Sequence, residues 1–301
     1  MFYYMLSDYL KEEYGTKLHK LLLSGGMTCP NRDGMCSTGG CIFCSGTGSG
    51  EFSQSLELSI SEQIENEKQK FWGKSNADKY IAYFQAFSNT YQTPEYLRAL
   101  YMPVVNRNDI AILSIATRPD CLSDTIIELL KELNSIKPIW IELGLQTINE
   151  ETAKFINRGY KLPIYIEAVK KLKSAGIKVI THLILGLPFE SREDMINSAK
   201  FAGKYSDGIK FHLLYVVKDT ELAKLYNAGK ITLISQEEYV QTLCDCVRSI
   251  PESVVIHRLT GDPDKTTLVA PKWACNKLKI LREIHNAFYD KDLIQGEFLE
   301  G

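Results

Sequence analysis

The sequence predicts an α/β fold: a partial (β/α)6 TIM-like barrel over residues 1–218, capped by a mostly helical extension over residues 219–301. The first observation behind this prediction is that six short strand-forming runs alternate with longer helical patterns before residue 218. Such alternation is typical of parallel β/α units joined by right-handed crossovers. The second observation is that six units are fewer than the eight of a closed barrel. No glycine-serine linker separates the two parts, so we expect them to pack as one body.

The individual elements follow from hydrophobic periodicity and from residues that start or stop helices. Pro94 stands near the first turn of one helical pattern, and Gly176 follows the end of another. The predicted strands are residues 18–25, 80–87, 111–117, 139–146, 177–185 and 209–217. The predicted helices are residues 56–71, 94–100, 124–133, 163–173, 192–202, 220–228, 235–249 and 272–290. An apolar run at residues 253–259 belongs to the extension.

The composition is that of a globular protein, with 45% apolar and 24% charged residues and a formal net charge of −2. This near-neutral charge excludes a surface that is basic as a whole, although it leaves room for a local basic patch. The sequence has no run of about 18 apolar residues, so no membrane-spanning helix is predicted. The first residues do not resemble a signal peptide. We therefore expect a cytoplasmic protein with reduced cysteines and no membrane partner.

Four of the eight cysteines lie in a loop that follows the first predicted strand: Cys29, Cys36, Cys41 and Cys44. Loops in that position carry the chemistry of β/α barrels. Glycines in the same loop allow it to wrap closely around a ligand. The spacing alone leaves three interpretations open, namely a zinc site with four thiolates, inert packed cysteines, and a [4Fe–4S] cluster on three thiolates with one iron open to a ligand.

Seven motifs, in order, resemble the YhcC/YtqA-like family of radical S-adenosylmethionine (SAM) enzymes over nearly the whole chain. They are CPNRDG…GGCIFC (29–44), YFQAFSNTY (83–91), ELGLQT (142–147), NRGY (157–160), HLILGLP (182–188), HLLYVVKDTELAKLY (212–226) and RLTGD…LVAP.W (258–273). The cluster loop of that family has the pattern C-x11-C-x2-C. The resemblance implies a barrel of radical SAM type, a [4Fe–4S] cluster on Cys29, Cys41 and Cys44, and SAM as second cofactor. It gives Cys36 no ligand role.

The block ELGLQT…NRGY is also similar to the elongator catalytic subunit and to the oxygen-independent coproporphyrinogen oxidase. This similarity implies that Gln146 contacts the ribose of SAM and that Arg158 pairs with its carboxylate. An exposed arginine without a ligand is the alternative for Arg158. Glu142 and Gln146 share the strand face that points into the barrel, where a buried polar group needs a partner. A bound cofactor supplies one, and a salt bridge to a neighbouring strand is the alternative.

The resemblance also implies that two further segments bind SAM. His182 stands where the oxidase relative has an aspartate that contacts the ribose, and a hydrogen-bonded core histidine is the alternative. Ser88, Asn89 and Thr90 end the second predicted strand. In radical SAM enzymes this turn binds the methionine amino group, usually through backbone carbonyls. An ordinary turn stabilised by asparagine and threonine is the alternative.

Candidate substrate residues lie on the sixth predicted strand and in the extension. Lys210 and His212 share one strand face, where they reach either substrate or a buried carboxylate. Arg258 and Trp273 belong to C-terminal motifs that form either a substrate pocket or only a cap on the open side of the barrel.

The family resemblance implies that the partner is tRNA and that the wobble uridine is modified. The implied reaction removes the carboxymethyl part of 5-carboxymethylaminomethyl uridine and leaves 5-aminomethyl uridine. The expected electron donor is a flavodoxin or a ferredoxin. Three clusters of basic residues either contact phosphates or are merely solvated surface: Lys68/Lys70/Lys74, Lys170/Lys171/Lys173 and Lys277/Lys279/Arg282.

Two other functions stay open from the sequence. A radical SAM enzyme that acts on a small metabolite or peptide would have an enclosed cavity and no basic rim. A non-catalytic iron–sulfur or zinc regulatory protein would have no SAM pocket.

Overall fold

The computed structural model describes residues 2–46, 48, 55, 57–71 and 78–299. Leu56, at the start of a predicted helix, and Lys74, in a predicted lysine cluster, lie outside the described residues. The strands are β1 (His19–Leu23), β2 (Tyr80–Phe84), β3 (Ile110–Thr117), β4 (Ile139–Gln146), β5 (Lys178–Leu185), β6 (Gly208–Leu213), β7 (Val216–Val217), β8 (Val255–Arg258) and β9 (Leu268–Ala270). The helices are α1 (Leu6–Tyr14), α2 (Ile60–Gln69), α3 (Pro94–Val105), α4 (Asp124–Ile136), α5 (Glu150–Phe155), α6 (Leu162–Ser174), α7 (Arg192–Tyr205), α8 (Glu221–Asn227), α9 (Gln236–Arg248) and α10 (Lys277–Asp290).

Seven parallel strands form one sheet in the order β1-β2-β3-β4-β5-β6-β8, and this sheet curls into a half-barrel. The predicted α/β fold class, a partial barrel with a helical C-terminal part, is confirmed. The strand predicted at residues 209–217 is divided into β6 and β7, because β7 leaves the main sheet to pair antiparallel with β9.

The seventh strand of the half-barrel comes from the C-terminal part of the chain. The sequence predicts six barrel strands and assigns the apolar run at residues 253–259 to the cap. In the structure β8 pairs with β6, and the backbone N–H of Ile256 donates to the carbonyl of Tyr4 at 2.8 Å. The extension therefore completes the sheet as well as covering it, while a domain boundary at residue 218 stays a prediction.

The two faces of the sheet have different environments. On β4 the side chains of Ile141, Leu143 and Leu145 are fully buried with the surrounding helices, as the alternation of that strand predicts. At the N-terminal end of the barrel Trp140 packs against Tyr9 of α1, so that this helix, which the sequence analysis did not predict, closes the bottom of the barrel.

The upper half of the inner face is open to solvent. Several inward-facing residues of the strands are half-buried, whereas their outward-facing neighbours are buried. The half-buried residues are Lys20, Leu22, Gly144, Gln146, His182, Ile184 and His212. The C-terminal ends of parallel strands are where barrel enzymes place their chemistry. The fold therefore presents an accessible cleft at the edge that also carries the cysteine loop.

Candidate functional site

Three cysteines of the loop after β1 lie close together. Cys29, Cys41 and Cys44 are partly buried, while Cys36 is exposed and its thiol lies 3.7 Å from Oδ2 of Asp120. Burial raises the pKa of Cys41 to about 12, and Cys44 and Cys29 are near enough to raise it further. Among the described residues no three His, Cys, Asp or Glu side chains are grouped tightly enough for a single metal ion.

The cysteine loop is held by side chains of its own CPNRDG segment. Arg32 donates to the carbonyl of Cys44 at 3.0 Å and to that of Ser45. The Asn31 amide donates to the carbonyl of Asn157 at 2.6 Å and approaches the Cys41 sulfur at 3.6 Å. The guanidinium of Arg32 also stacks over Phe87. The chain thus folds back on itself between its first and last cysteines.

The NRGY segment after α5 forms the platform for this loop. Asn157 has a positive φ of 54° and donates its amide to the carbonyl of Gly40 at 2.8 Å. Gly159 also has a positive φ, and a Cβ there would collide with Oδ1 of Asn31. From the other side, the N–H of Leu222 in α8 donates to the carbonyl of Ile42 at 2.8 Å. The loop is therefore clamped between the barrel and the C-terminal part.

A cavity of about 350 Å³ lies against the two downstream cysteines. Its lining combines the cysteine loop, the NRGY segment and the start of α8: Arg32, Thr38, Gly39, Gly40, Cys41, Ile42, Cys44, Gly46, Asn157, Asp219, Thr220 and Glu221. Glycine backbones and thiols make up much of this wall, so a bulky inorganic group can approach the chain closely here.

The turn after β2 is strained and tied to its neighbours. Ala86 and Phe87 are successive non-glycine residues with φ values of 67° and 57°, a conformation that needs support from the surrounding structure. Asn89 donates to the carbonyls of Ala86 at 2.8 Å and Ala116 at 3.1 Å. Thr90 bonds to Thr117 at 2.6 Å, which joins the ends of β2 and β3. Like Asn89 and Thr90, Ser88 is buried.

Gln146 ends β4 in an unusual conformation. Its φ is 63°, the pairing of β4 with β5 shifts register there, and its amide folds over Gly144, where a Cβ would collide with it. The Oε1 atom is buried and has no hydrogen-bond partner among the described residues. A buried acceptor without a partner costs about 1–3 kcal/mol. Backbone strain and an unsatisfied acceptor together are typical of a position shaped for a ligand.

Glu142 is the centre of an ionic cluster inside the barrel. Its Oε1 accepts from Ser114 at 2.8 Å and from Lys20 at 3.5 Å, and its Oε2 accepts from His182 at 2.8 Å and from Lys210. Burial opposes the ionised form of Glu142, but Lys210 and Lys20 outweigh it and hold the pKa well below its usual range. Burial, with Lys210 and Arg258 nearby, lowers the pKa of His182 to about 4 despite its bond to Glu142.

Comparison with known proteins decides the family. The Radical SAM superfamily model matches residues 34–202, more than half of the chain, and the Radical_SAM C-terminal domain model matches residues 206–290. The chain belongs to the radical SAM superfamily. Its YhcC/YtqA-like character is also confirmed, since it is 42% identical to the uncharacterized protein YtqA of Bacillus subtilis (strain 168) over 99% of this chain and 93% of YtqA.

Other radical SAM relatives match less completely. A tRNA uridine(34) acetyltransferase of Methanocaldococcus infernus is 29% identical over 52% of this chain and 30% of its own length. The solved structure of M. infernus Elp3 with an N-terminal deletion has a TM-score of 0.69 at 19% identity, covering 92% of this chain and 64% of that one. This structural likeness concerns the fold.

Radical SAM membership makes the protein an enzyme whose cofactors are a [4Fe–4S] cluster and SAM, as predicted. The residues present fit these groups. Cys41 and Cys44 line a glycine-rich cavity, Cys29 is near enough to Cys41 to act on it electrostatically, and the unpaired Oε1 of Gln146 offers an acceptor for a hydroxyl. Thiolates are the usual protein ligands of iron–sulfur clusters. Which residues hold each cofactor stays a prediction.

The structure gives Arg158 a role that the sequence analysis missed. The alternative of an exposed arginine is wrong, because Arg158 is 1% exposed. It donates to the carbonyls of Tyr160 at 3.0 Å, Leu145 at 3.2 Å and Thr147 at 2.7 Å, and to Glu150 at 3.3 Å. A guanidinium has five N–H donors. A two-pronged bond to the SAM carboxylate therefore requires Arg158 to release Glu150 or the backbone.

For some of the other predicted site residues the structure agrees with the alternative, and for others it does not. Glu142 makes salt bridges, which were the alternative to a SAM contact, but their partners Lys20 and Lys210 lie on β1 and β6 rather than on the strands next to β4. His182 is hydrogen-bonded but keeps 19% of its side chain exposed to the cleft. Sequence reasoning missed Lys20, although a lone lysine within the apolar run LHKLLL is a visible signal.

The predicted lysine clusters are largely neutralised by carboxylates. Lys68 pairs with Asp109 at 2.9 Å, Lys171 with Asp124 at 2.8 Å and Lys277 with Asp262 at 2.8 Å. Paired lysines attract phosphates less than free ones do. None of the described helices has the length and apolar character that crossing a bilayer requires.

We expect the NRGY segment, which supports the cysteine loop, to determine how much iron–sulfur cluster the protein retains. Asn157→Gly keeps the positive φ accessible but removes the amide that holds Gly40, so iron per chain after reconstitution should fall to about half or less. Asp292→Gly, at an exposed site with a φ of 49°, is the matched control and should keep the full iron content. Iron and sulfide analysis measures both variants, and a full cluster in Asn157→Gly would contradict the clamp.

Proposed function

We propose that this radical SAM enzyme acts on the wobble uridine of tRNA and converts its 5-carboxymethylaminomethyl group to 5-aminomethyl. SAM would serve as the two-electron oxidant, the bond between nitrogen and the carboxymethyl carbon would be oxidised to an imine, and hydrolysis of the imine by water would release the carboxymethyl group as glyoxylate. The observation that carries the proposal is the likeness of half the chain to a tRNA uridine(34) acetyltransferase, beside the full-length likeness to YtqA. The open upper half of the barrel supports it, because a base of a single-stranded anticodon loop needs an accessible cleft to reach the reaction centre.

We propose that Cys29, Cys41 and Cys44 hold the [4Fe–4S] cluster, with one iron left for SAM. The bound cluster supplies the electron that splits SAM into methionine and a 5′-deoxyadenosyl radical, and a flavodoxin or ferredoxin is the proposed donor of that electron. Asn31, Asn157 and Arg32 fix the loop that carries the thiols. Cys36 is left out, since its thiol is exposed and faces Asp120.

The SAM contacts are proposed from the C-terminal ends of β2 and β4. The unpaired Oε1 of Gln146 accepts from a ribose hydroxyl, and the strained turn at Ala86 and Phe87, with the following Ser88, Asn89 and Thr90, presents backbone carbonyls to the amino group. His182 lines the cleft next to them from β5. These residues bind and orient the cofactor.

A small substrate with an amino and a carboxylate group is the second candidate. The observation that favours it is the pairing of the lysine clusters with carboxylates, which weakens the electrostatic case for a nucleic acid. A small molecule would enter the same cleft and would need no basic rim.

The cluster ligands are tested by substitution. The triple variant of Cys29, Cys41 and Cys44 to alanine should bind no cluster, because three thiolates are lost, while the matched Cys36→Ala should keep about four irons per chain. Iron analysis and electron paramagnetic resonance of the reduced protein measure this. A full cluster in the triple variant would contradict the assignment of these three cysteines as ligands.

The substrate is tested with RNA. Anaerobic incubation of the reconstituted enzyme with SAM, reductant and tRNA bearing 5-carboxymethylaminomethyl uridine should yield 5′-deoxyadenosine and 5-aminomethyl uridine together. Mass spectrometry of the nucleosides is the measurement, and tRNA with unmodified uridine is the control. Equal 5′-deoxyadenosine with and without the modified tRNA, with the nucleoside unchanged, would exclude this substrate and favour a small molecule.

A further inference from the structure

The interior of the half-barrel carries more positive than negative charge. Lys20 and Lys210 both pair with Glu142, whose side chain is fully buried. Arg258, next to Lys210 in the register of β6 and β8, has no carboxylate partner among the described residues, yet is close enough to act electrostatically on Lys210, His182 and His212. Two cations therefore pair with one buried carboxylate, and a third cation lies beside them.

Excess charge of this kind is costly unless an anion compensates it. Moving an unpaired ion out of water costs several kcal/mol. Burial lowers the pKa of the Lys210 ammonium below its usual range, and the positive charges of Lys20 and Arg258 lower that pKa further. Both lysine ammonium groups also lie over the ring of Tyr83, at 5.0 Å and 4.3 Å from its centroid. The ring's negative face offers only partial compensation.

The same wall has a polar atom that no protein group satisfies. Nε2 of His212 is buried and has no hydrogen-bond partner among the described residues. The ring of His212 lies 5.1 Å from that of His182, which in turn is bonded to Glu142. As an N–H donor, this nitrogen could bond to a polar, negatively charged ligand next to the surplus cations.

This charged layer is reachable from the cleft. The side chain of Lys20 is 22% exposed and that of His182 19%, whereas Glu142 is fully buried beneath them. The layer lies above Trp140, which closes the bottom of the barrel with α1, and below Gly144 and Gln146 at the top of β4. A group that enters past the cysteine loop would therefore reach these cations after passing Gly144 and Gln146.

We propose that Arg258, with Lys20 and Lys210 beside it, forms a subsite for the carboxylate of the substrate. This rests on the proposed function, in which the substituent at C5 of uridine, –CH₂–NH₂⁺–CH₂–COO⁻, ends in a carboxylate. Three cations beside a single carboxylate leave positive charge that is complementary to this end of the substituent. Arginine suits the carboxylate because its planar fork can bind both oxygens.

The test compares a carboxylate with its methyl ester, which lacks the negative charge. Calorimetry on the SAM-loaded holoenzyme measures the binding of 5-carboxymethylaminomethyluridine, as the nucleoside, and of its methyl ester. The acid should bind about 10–100-fold more tightly than the ester, as expected for charge-assisted hydrogen bonds. Arg258→Gln should reduce this ratio to about threefold or less, and Arg258→Lys should retain part of it, without a change in SAM affinity.

Arg248→Gln is the matched control, since Arg248 pairs with Glu297 on the surface of α9, and it should leave the ratio intact. Thermal unfolding of each variant checks that the fold is kept. Equal binding of acid and ester by the unmodified enzyme, or binding of neither, would overturn the subsite. A loss of SAM affinity in Arg258→Gln at an unchanged ratio would also overturn it and assign the cations to the SAM carboxylate.

The two proposals fail separately. Conversion of the modified tRNA without discrimination between acid and ester would leave the proposed function standing and remove the subsite. Discrimination without conversion would keep the subsite and remove the proposed reaction.

Discussion

The buried carboxylate of Glu142 is the interaction on which the interior of this half-barrel depends. It accepts hydrogen bonds from side chains of β1, β3, β5 and β6, so one residue of β4 ties five strands together. An uncompensated charge at this depth would be strongly destabilising, which fixes the positions of its cationic partners. Because those partners outnumber it, the same layer that stabilises the barrel also leaves positive charge facing the cleft.

Above that layer several residues have a strained backbone conformation. Gln146 and the Ala86–Phe87 pair adopt positive φ values at the ends of β4 and β2, and Arg158 holds the carbonyls that follow β4. Asn157 and Gly159 of the NRGY segment in turn hold the cysteine loop in place. Cofactor binding and barrel stability are thus linked through backbone carbonyls rather than through a separate cofactor domain.

The sequence was sufficient for the six predicted strands because each combines strand-forming residues with a following helical pattern. It did not predict β8, since a four-residue strand becomes recognisable only when β6 offers it an edge. The role of Arg158 also escaped prediction, because its burial depends on how the chain turns after β4 and brings the carbonyls of Leu145 and Thr147 to its guanidinium. The pairing of Lys68 with Asp109 and of Lys171 with Asp124 is likewise a tertiary property that lysine clusters in the sequence do not reveal.

The central claim is that Glu142 and Lys210 are bound to each other as a compensated pair. A double-mutant cycle with Glu142→Gln, Lys210→Met and both together, measured by urea unfolding, tests it most directly. Each single variant should lose about 3–5 kcal/mol, because it removes one partner of a buried ion pair. The double variant should lose less than the sum of the two by about 1–3 kcal/mol. Losses that add to within about 0.5 kcal/mol would show that the two side chains are not coupled and would contradict the account.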